Sequence, residues 1–153
     1  LCALVGASGK VHAFEPQTRV FEALRHLQSS HDNLEVHRVA LSSRTGTCTL
    51  HVPFLDGGVP EPALATLEPL SAAHETDEVA TRTLDSYRDL LPGVAFVKVD
   101  VEGHEIEFLD GAREVLASNR PVVQIEDNGV LAFSVGRRRW LLRAPAPGFF
   151  LCS

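Results

Sequence analysis

The sequence predicts an α/β domain, a sheet whose strands are joined by helical crossovers on both faces. Three observations predict it. Short β-like runs alternate along the chain with segments of helical apolar spacing. The run VAFVKV at residues 94–99 is almost unbroken in apolar residues, as a strand covered on both faces requires. Three strand ends carry an acid, Glu15, Asp100 and Glu126, where open α/β sheets place their ligands.

The elements follow in order. Residues 1–6 read as the last turn of a helix, closed by Gly6. Residues 10–14, KVHAF, form a short strand, which Pro16 ends because proline cannot continue a central ladder. Residues 18–28 place Val20, Phe21, Leu24 and Leu27 at helical spacing. After a polar turn, residues 34–41 read as one strand carrying Leu34, Val36 and Val39. A turn at Gly46 leads into a short extra strand at 47–52. Residues 53–77 hold Gly57-Gly58 and four prolines, and are expected to be an irregular loop, functional or mobile. Residues 79–83 are expected to be extended, and 84–91 a short helix stopped by Pro92-Gly93. Beyond the 94–99 strand, Ile106, Leu109, Ala112, Val115 and Leu116 make one apolar face of a helix over 105–116. Glu105 and Glu107 sit in its first turn, where the helix dipole favours negative charge. Asn119-Arg120-Pro121 ends that helix, and 122–125 is the next buried strand, closed by Glu126-Asp127.

Composition excludes several classes. A length of 153 residues suits one domain. With 44% hydrophobic and 22% charged residues the chain is expected to fold rather than stay disordered. The net charge of -6 opposes nucleic acid, and the one dense basic run is Arg137-Arg138-Arg139. No apolar stretch approaches the roughly 18 residues a membrane span needs. Cys2, Cys48 and Cys152 are odd in number and lack zinc spacing, so reduced thiols and a cytoplasmic location are expected. The chain starts at Leu1 and contains no methionine, so it is expected to be a piece of a longer product. The sequence does not specify an oligomeric state.

The acids at strand ends are the main chemical candidates. Glu15 can accept two hydrogen bonds from a ribose diol, or it can simply be a solvent-facing acid at a helix start. Asp100, Glu102, His104 and Glu105 lie within six residues of one another after a buried strand. Acids beside an imidazole suit proton transfer or a divalent ion, and they also suit the capped start of a helix. Asp100 fits capping least. As a metal pattern Asp-x-Glu-x-His is weak and does not by itself support an ion. Glu126 ends the strand expected beside the one bearing Asp100, so the two carboxylates are candidates to perturb each other. His12 reads as a packed histidine within its strand, and His26, His31, His37, His51 and His74 as background. Cys48 has no partner base, so a thiol nucleophile is not expected. Neither a P-loop nor GxSxG occurs.

Taken together, these segments resemble the FkbM-type methyltransferases. VGASGKVHAFEP resembles that family's second strand and its acidic end, and VALSSRTGTCTL its third strand with Ala-Leu-Ser. Thr83-Leu84-Asp85 resembles the Thr-Leu-Asp before the fourth strand. VKVDVEGHE at 97–105 is the most specific motif, and Gly111-Ala112 and the strand ending in Glu126 follow in order. The resemblance implies a Rossmann-like class I methyltransferase sheet over residues 1–127, N-terminally incomplete, with 128–153 a divergent segment. The family's first strand and its Asp-x-Gly-Ala-Asn-x-Gly loop would precede residue 1.

The implied function is an S-adenosylmethionine-dependent O-methyltransferase acting on a hydroxyl of a sugar or secondary metabolite. The implied partner is therefore a small-molecule hydroxyl acceptor. Glu15 would bind the donor's ribose, Ala40 and Leu41 would lie along its adenine, and Asp100 would lie near the methyl or the acceptor. Glu102 and His104 would line the acceptor side, with His104 the general base, and Glu126 would contact substrate. Two alternatives stand beside this reading: a non-catalytic fragment or degenerate paralogue that keeps the fold, and an NAD-type oxidoreductase, against which VKVDVEGHE argues.

Overall fold

The computed structural model describes the backbone of residues 1–55, 58–125, 130–135, 138–143 and 150–152, and the side chains of 1–55 and 58–125. Helix α1 (Cys2–Val5) ends at Gly6, whose φ of 69° is one that glycine adopts without strain. Strand β1 (Val11–Phe14) is followed by α2 (Thr18–Gln28) and β2 (Leu34–His37). The two strands pair in parallel, Val11 opposite Leu34 and Phe14 opposite His37, so α2 is a crossover helix.

The strand expected over 34–41 is two strands in two different sheets. Leu34 and Val36 share one parity and Val39 has the other, so one extended run cannot bury all three. The chain turns instead: the Val39 amide donates to the His37 carbonyl at 3.1 Å. Val39 and Ala40 are then both buried. Strand β3 (Ala40–Leu41) pairs in parallel with β6 (His74–Arg82), Ala40 opposite Thr81.

The loop expected over 53–77 is largely strand. Strand β4 (Gly46–Leu55) runs antiparallel to β6, Gly46 opposite Thr81 and Pro53 opposite His74. Between them lie β5 (Val59–Pro60) and a 3-10 turn (Pro62–Leu64), giving the sheet order β3-β6-β4-β5. An isolated bridge ties His51 to Thr66. Alternation makes this sheet: Leu50, Val52 and Val79 are buried on one face, while the acids and threonines between them are mostly exposed.

A 3-10 helix (Leu84–Leu90) precedes β7 (Phe96–Val99). The helix expected over 105–116 breaks into α3 (Glu105–Asp110) and α4 (Arg113–Asn119). Asp85 accounts for the break. Its carboxylate accepts the amides of Glu114 at 3.1 Å and Val115 at 2.9 Å, capping α4, while its own amide donates to the Gly111 carbonyl at 2.9 Å. The Thr83-Leu84-Asp85 signature is therefore a double cap, since the Thr83 hydroxyl also accepts the Ser86 amide.

Strand β8 (Val122–Ile125) pairs in parallel with β7 and antiparallel with β11 (Phe150–Cys152). Strands β9 (Val130–Val135) and β10 (Arg138–Arg143) form an antiparallel hairpin. The expectation that β7 is covered on both faces is not met. Val99 is 2% exposed but Phe96 is 39% exposed. Among the described residues β7 pairs only with β8, and β1 only with β2.

Two cores result. One gathers Leu84, Val99, Phe108, Leu109, Val115 and Ile125 beneath α3 and α4. The other gathers Ala40, Leu50, Val52 and Val79 on the antiparallel sheet. The architecture is a mixed α/β one: β1–β2 and β7–β8 pair in parallel, and the four-stranded sheet is antiparallel but for its edge strand β3. None of the described helices is long and apolar enough to cross a membrane.

Candidate functional site

An opening of about 1730 Å³ lies between β1 and β7, whose facing edges pair with no strand among the described residues, and every residue of both strands borders it. Glu15, Ala40, Leu41, Asp100, Glu102 and His104 all border it too, so residues up to 89 positions apart meet at one opening. Glu126 lies outside the described residues.

Glu15 leaves the end of β1. One of its carboxylate oxygens accepts the Gln17 amide at 2.8 Å, and the residue borders the opening. Burial pushes this carboxyl above its ordinary range, and the Gln17 amide partly offsets the shift. Gln17 in turn donates its side-chain amide to the Pro62 carbonyl at 2.8 Å, so the antiparallel sheet's 3-10 turn closes over the same corner. Ala40 and Leu41 give an apolar wall, with the Ser42 amide fixed to the Arg82 carbonyl at 2.8 Å.

Asp100 follows β7 and is ion-paired to Lys98. Glu102 has φ 46° and Gly103 φ 95°, so two successive residues sit in the left-handed region. Glycine tolerates this, but at Glu102 it is strained and needs a tether. The tether is Thr66, whose hydroxyl donates to the Glu102 carbonyl at 2.6 Å. The Gly103 amide donates to the buried Glu105 carboxylate at 3.0 Å, which fixes the turn from its other side. Glu105 is thus a structural acid, as capping would have it.

That loop delivers His104, 9% exposed, at the head of α3. Its Nδ1 lies 2.9 Å from the Glu68 carboxylate and its Nε2 lies 2.9 Å from the Ser42 hydroxyl. A carboxylate only accepts, so Nδ1 donates to Glu68, and in the neutral imidazole Nε2 accepts from the Ser42 hydroxyl. Glu107 lies 3.7 Å from Nδ1 on the same side. The order hydroxyl, imidazole, carboxylate is that of a proton relay: the carboxylate fixes the tautomer and stabilises the imidazolium once Nε2 takes a proton. Gly111 keeps the relay closed, because a Cβ there would lie 2.0 Å from the Ser42 carbonyl oxygen.

The acids that serve His104 are therefore not the ones its motif suggested. Asp100 and Glu102 border the cavity, but neither joins a convergent ligand group. Among the described residues two such groups exist, Glu68 with His104 and Glu107, and His12 with Glu35 and His37. Glu68 sits in what reads as an irregular loop, and no local pattern marks it. Cys2 and Cys48 are free thiols, and burial pushes the Cys48 thiol up, away from nucleophile chemistry.

Comparison with known proteins adds the family. The sequence matches the Methyltransferase FkbM domain over residues 1–144. The structure is similar to the crystal structure of Methyltransferase FkbM from Methylobacillus flagellatus KT, with a TM-score of 0.54 and 21% identity. That likeness covers 80% of this chain and 28% of the other, so the chain spans little more than a quarter of the protein it matches. No curated protein matches the sequence.

Proposed function

The chain belongs to the FkbM methyltransferase family, and from that premise we propose that its protein is an S-adenosylmethionine-dependent O-methyltransferase. The acceptor is a hydroxyl of a sugar or secondary metabolite. The observation that carries this reading is His104 at the cavity wall, with Nε2 on a hydroxyl and Nδ1 on a carboxylate.

S-adenosylmethionine, when bound, supplies an electrophilic methyl group on a sulfonium. The residues present fit its nucleoside half. The Glu15 carboxylate accepts from a ribose hydroxyl, and Ala40 and Leu41 flank the base with apolar surface. Asp100, ion-paired to Lys98, and Glu102 border the same opening. His104 takes the acceptor's proton at Nε2 by way of the Ser42 hydroxyl, which accepts that proton as it gives up its own, and Glu68 stabilises the imidazolium. Holding acceptor and donor in line supplies much of the remaining rate. Nothing in this chemistry calls for a divalent metal.

The test is donor binding by calorimetry on the full-length protein and on its Glu15→Ala variant. Saturable binding that weakens in the variant supports the reading. The alternative reading is a non-catalytic relative that keeps the fold. Absence of donor binding, with a cooperative melt that donor does not shift, selects that second reading.

A further inference from the structure

We propose that His12, Glu35 and His37 form a site for a divalent transition ion of the zinc class, on the face of β1 opposite Glu15. Side chains alternate along a strand, so His12 and Phe14 project to one face of β1, and Ala13 and Glu15 to the other. The parallel register sets His12 opposite Glu35 and Phe14 opposite His37. Both histidines and the glutamate therefore share a face across two hydrogen-bonded strands.

Their ligand atoms converge. His12 Nδ1 lies 3.1 Å from His37 Nε2. Oxygens of the Glu35 carboxylate lie 3.8 Å from each of those nitrogens. Two ligands on one tetrahedral ion with bonds of ~2.1 Å are about 3.4 Å apart. The two nitrogens are near that spacing, and one ligand atom from each of the three residues lies within 4.8 Å of the others, so side-chain rotations can bring all three onto one ion. Two imidazoles and a carboxylate are a borderline donor set, suited to zinc and its neighbours rather than to magnesium or calcium. The set leaves a fourth position, and Glu35, 43% exposed, opens it to solvent.

The rings are also supported. His37 stacks on Phe14 at 4.7 Å and meets the edge of Tyr87 at 5.1 Å, while Phe14 meets Tyr87 at 5.0 Å. These contacts hold the His37 imidazole in place before any ion arrives. A bound ion would clip β1 to β2 beside the cavity wall.

The experiment titrates chelator-stripped full-length protein with zinc by calorimetry, and with cobalt by visible absorption. One ion per site should bind with the spectrum of a four-coordinate nitrogen and oxygen set. His37→Asn should weaken uptake beyond the ~10–100-fold of a lost supporting contact. Glu35→Gln, at a half-exposed position that leaves the strands intact, should weaken it as well. His104→Asn, which disables the other convergent group, should leave uptake unchanged. No uptake by the native protein would mean that the two imidazoles share only a proton, and would overturn the proposal. Uptake that survives both His37→Asn and Glu35→Gln, or that is lost in His104→Asn, would overturn it equally.

Discussion

The region of parallel pairs and the antiparallel sheet make their contributions to the site in different ways. The parallel region presents residues at strand ends: Glu15 after β1, and Asp100, Glu102 and His104 after β7. The antiparallel region adds groups from its flanks: Ser42 beyond β3, and Thr66 and Glu68 from the segment between β4 and β6. Neither set is complete. The imidazole comes from one region, and both of its hydrogen-bond partners at 2.9 Å come from the other. The two cores stay separate, and the polar groups sit along the seam between them. A buried polar seam is stable only if its members are satisfied, and none of the described buried side-chain polar atoms lacks a partner.

The comparison can be broken most sharply at the imidazole itself. In the full-length protein His104→Asn should lower methyl transfer ~10²–10⁴-fold, as removal of a general base does, and should also lower the melting temperature, since the Ser42 hydroxyl and the Glu68 carboxylate lose their partner. Transfer of labelled methyl to an acceptor reads this, and a loss under about tenfold would reduce His104 to a structural link.

Next comes the backbone contact that holds the seam shut. A Cβ at Gly111 would meet the Ser42 carbonyl oxygen at 2.0 Å, so Gly111→Ala must push the two regions apart. Denaturant unfolding should show a cost of about 2 kcal/mol, as overpacking does. An unchanged midpoint would mean that the regions do not bear on each other there.

Thr66→Val is milder. It removes the hydroxyl that holds the Glu102 carbonyl at 2.6 Å, and should cost about 1 kcal/mol in the same assay. The loop bearing His104 would lose its tether, so the rate should fall in parallel.

The smallest effect concerns Glu15, on the parallel side alone. Its carboxyl is raised by burial, so its favourable share of stability is present below the ordinary carboxylate range and lost as pH rises through the raised value. Glu15→Gln should therefore raise the melting temperature at pH 7, a gain that should vanish below the ordinary carboxylate range. Donor binding should be lost at both pH values, which separates the residue's function from its stability.

The two regions also differ in how legible they are. Helix α2 runs over the predicted residues because four apolar side chains repeat at helical spacing between clear punctuation. Strand β1 ends at Phe14, two residues before the proline. In the antiparallel sheet β4 and β6 extend well beyond prediction, since their outer faces are rich in threonine and acid and read as loop. The split of α3 from α4 was hidden because the cap comes from Asp85, outside the helix altogether. At the site, Glu15, Asp100, Glu102 and His104 were readable from strand ends and do border the opening, while Glu126 lies outside the described residues. Glu68 was not readable, because what ties it to the site is a partner 36 residues away. The pairing of His12 with His37 was hidden for the same reason: it depends on strand register.

The seam also bears on how the molecule assembles. The bond from Ser42 to His104 spans 62 residues of chain, and the bonds from Thr66 to Glu102 and from Glu68 to His104 each span 36. Closing longer loops costs more chain entropy, and such contacts form after shorter-range ones have gathered the chain. The bonds that join His104 to Ser42 and Glu68 are therefore expected to close after the shorter-range contacts within each region.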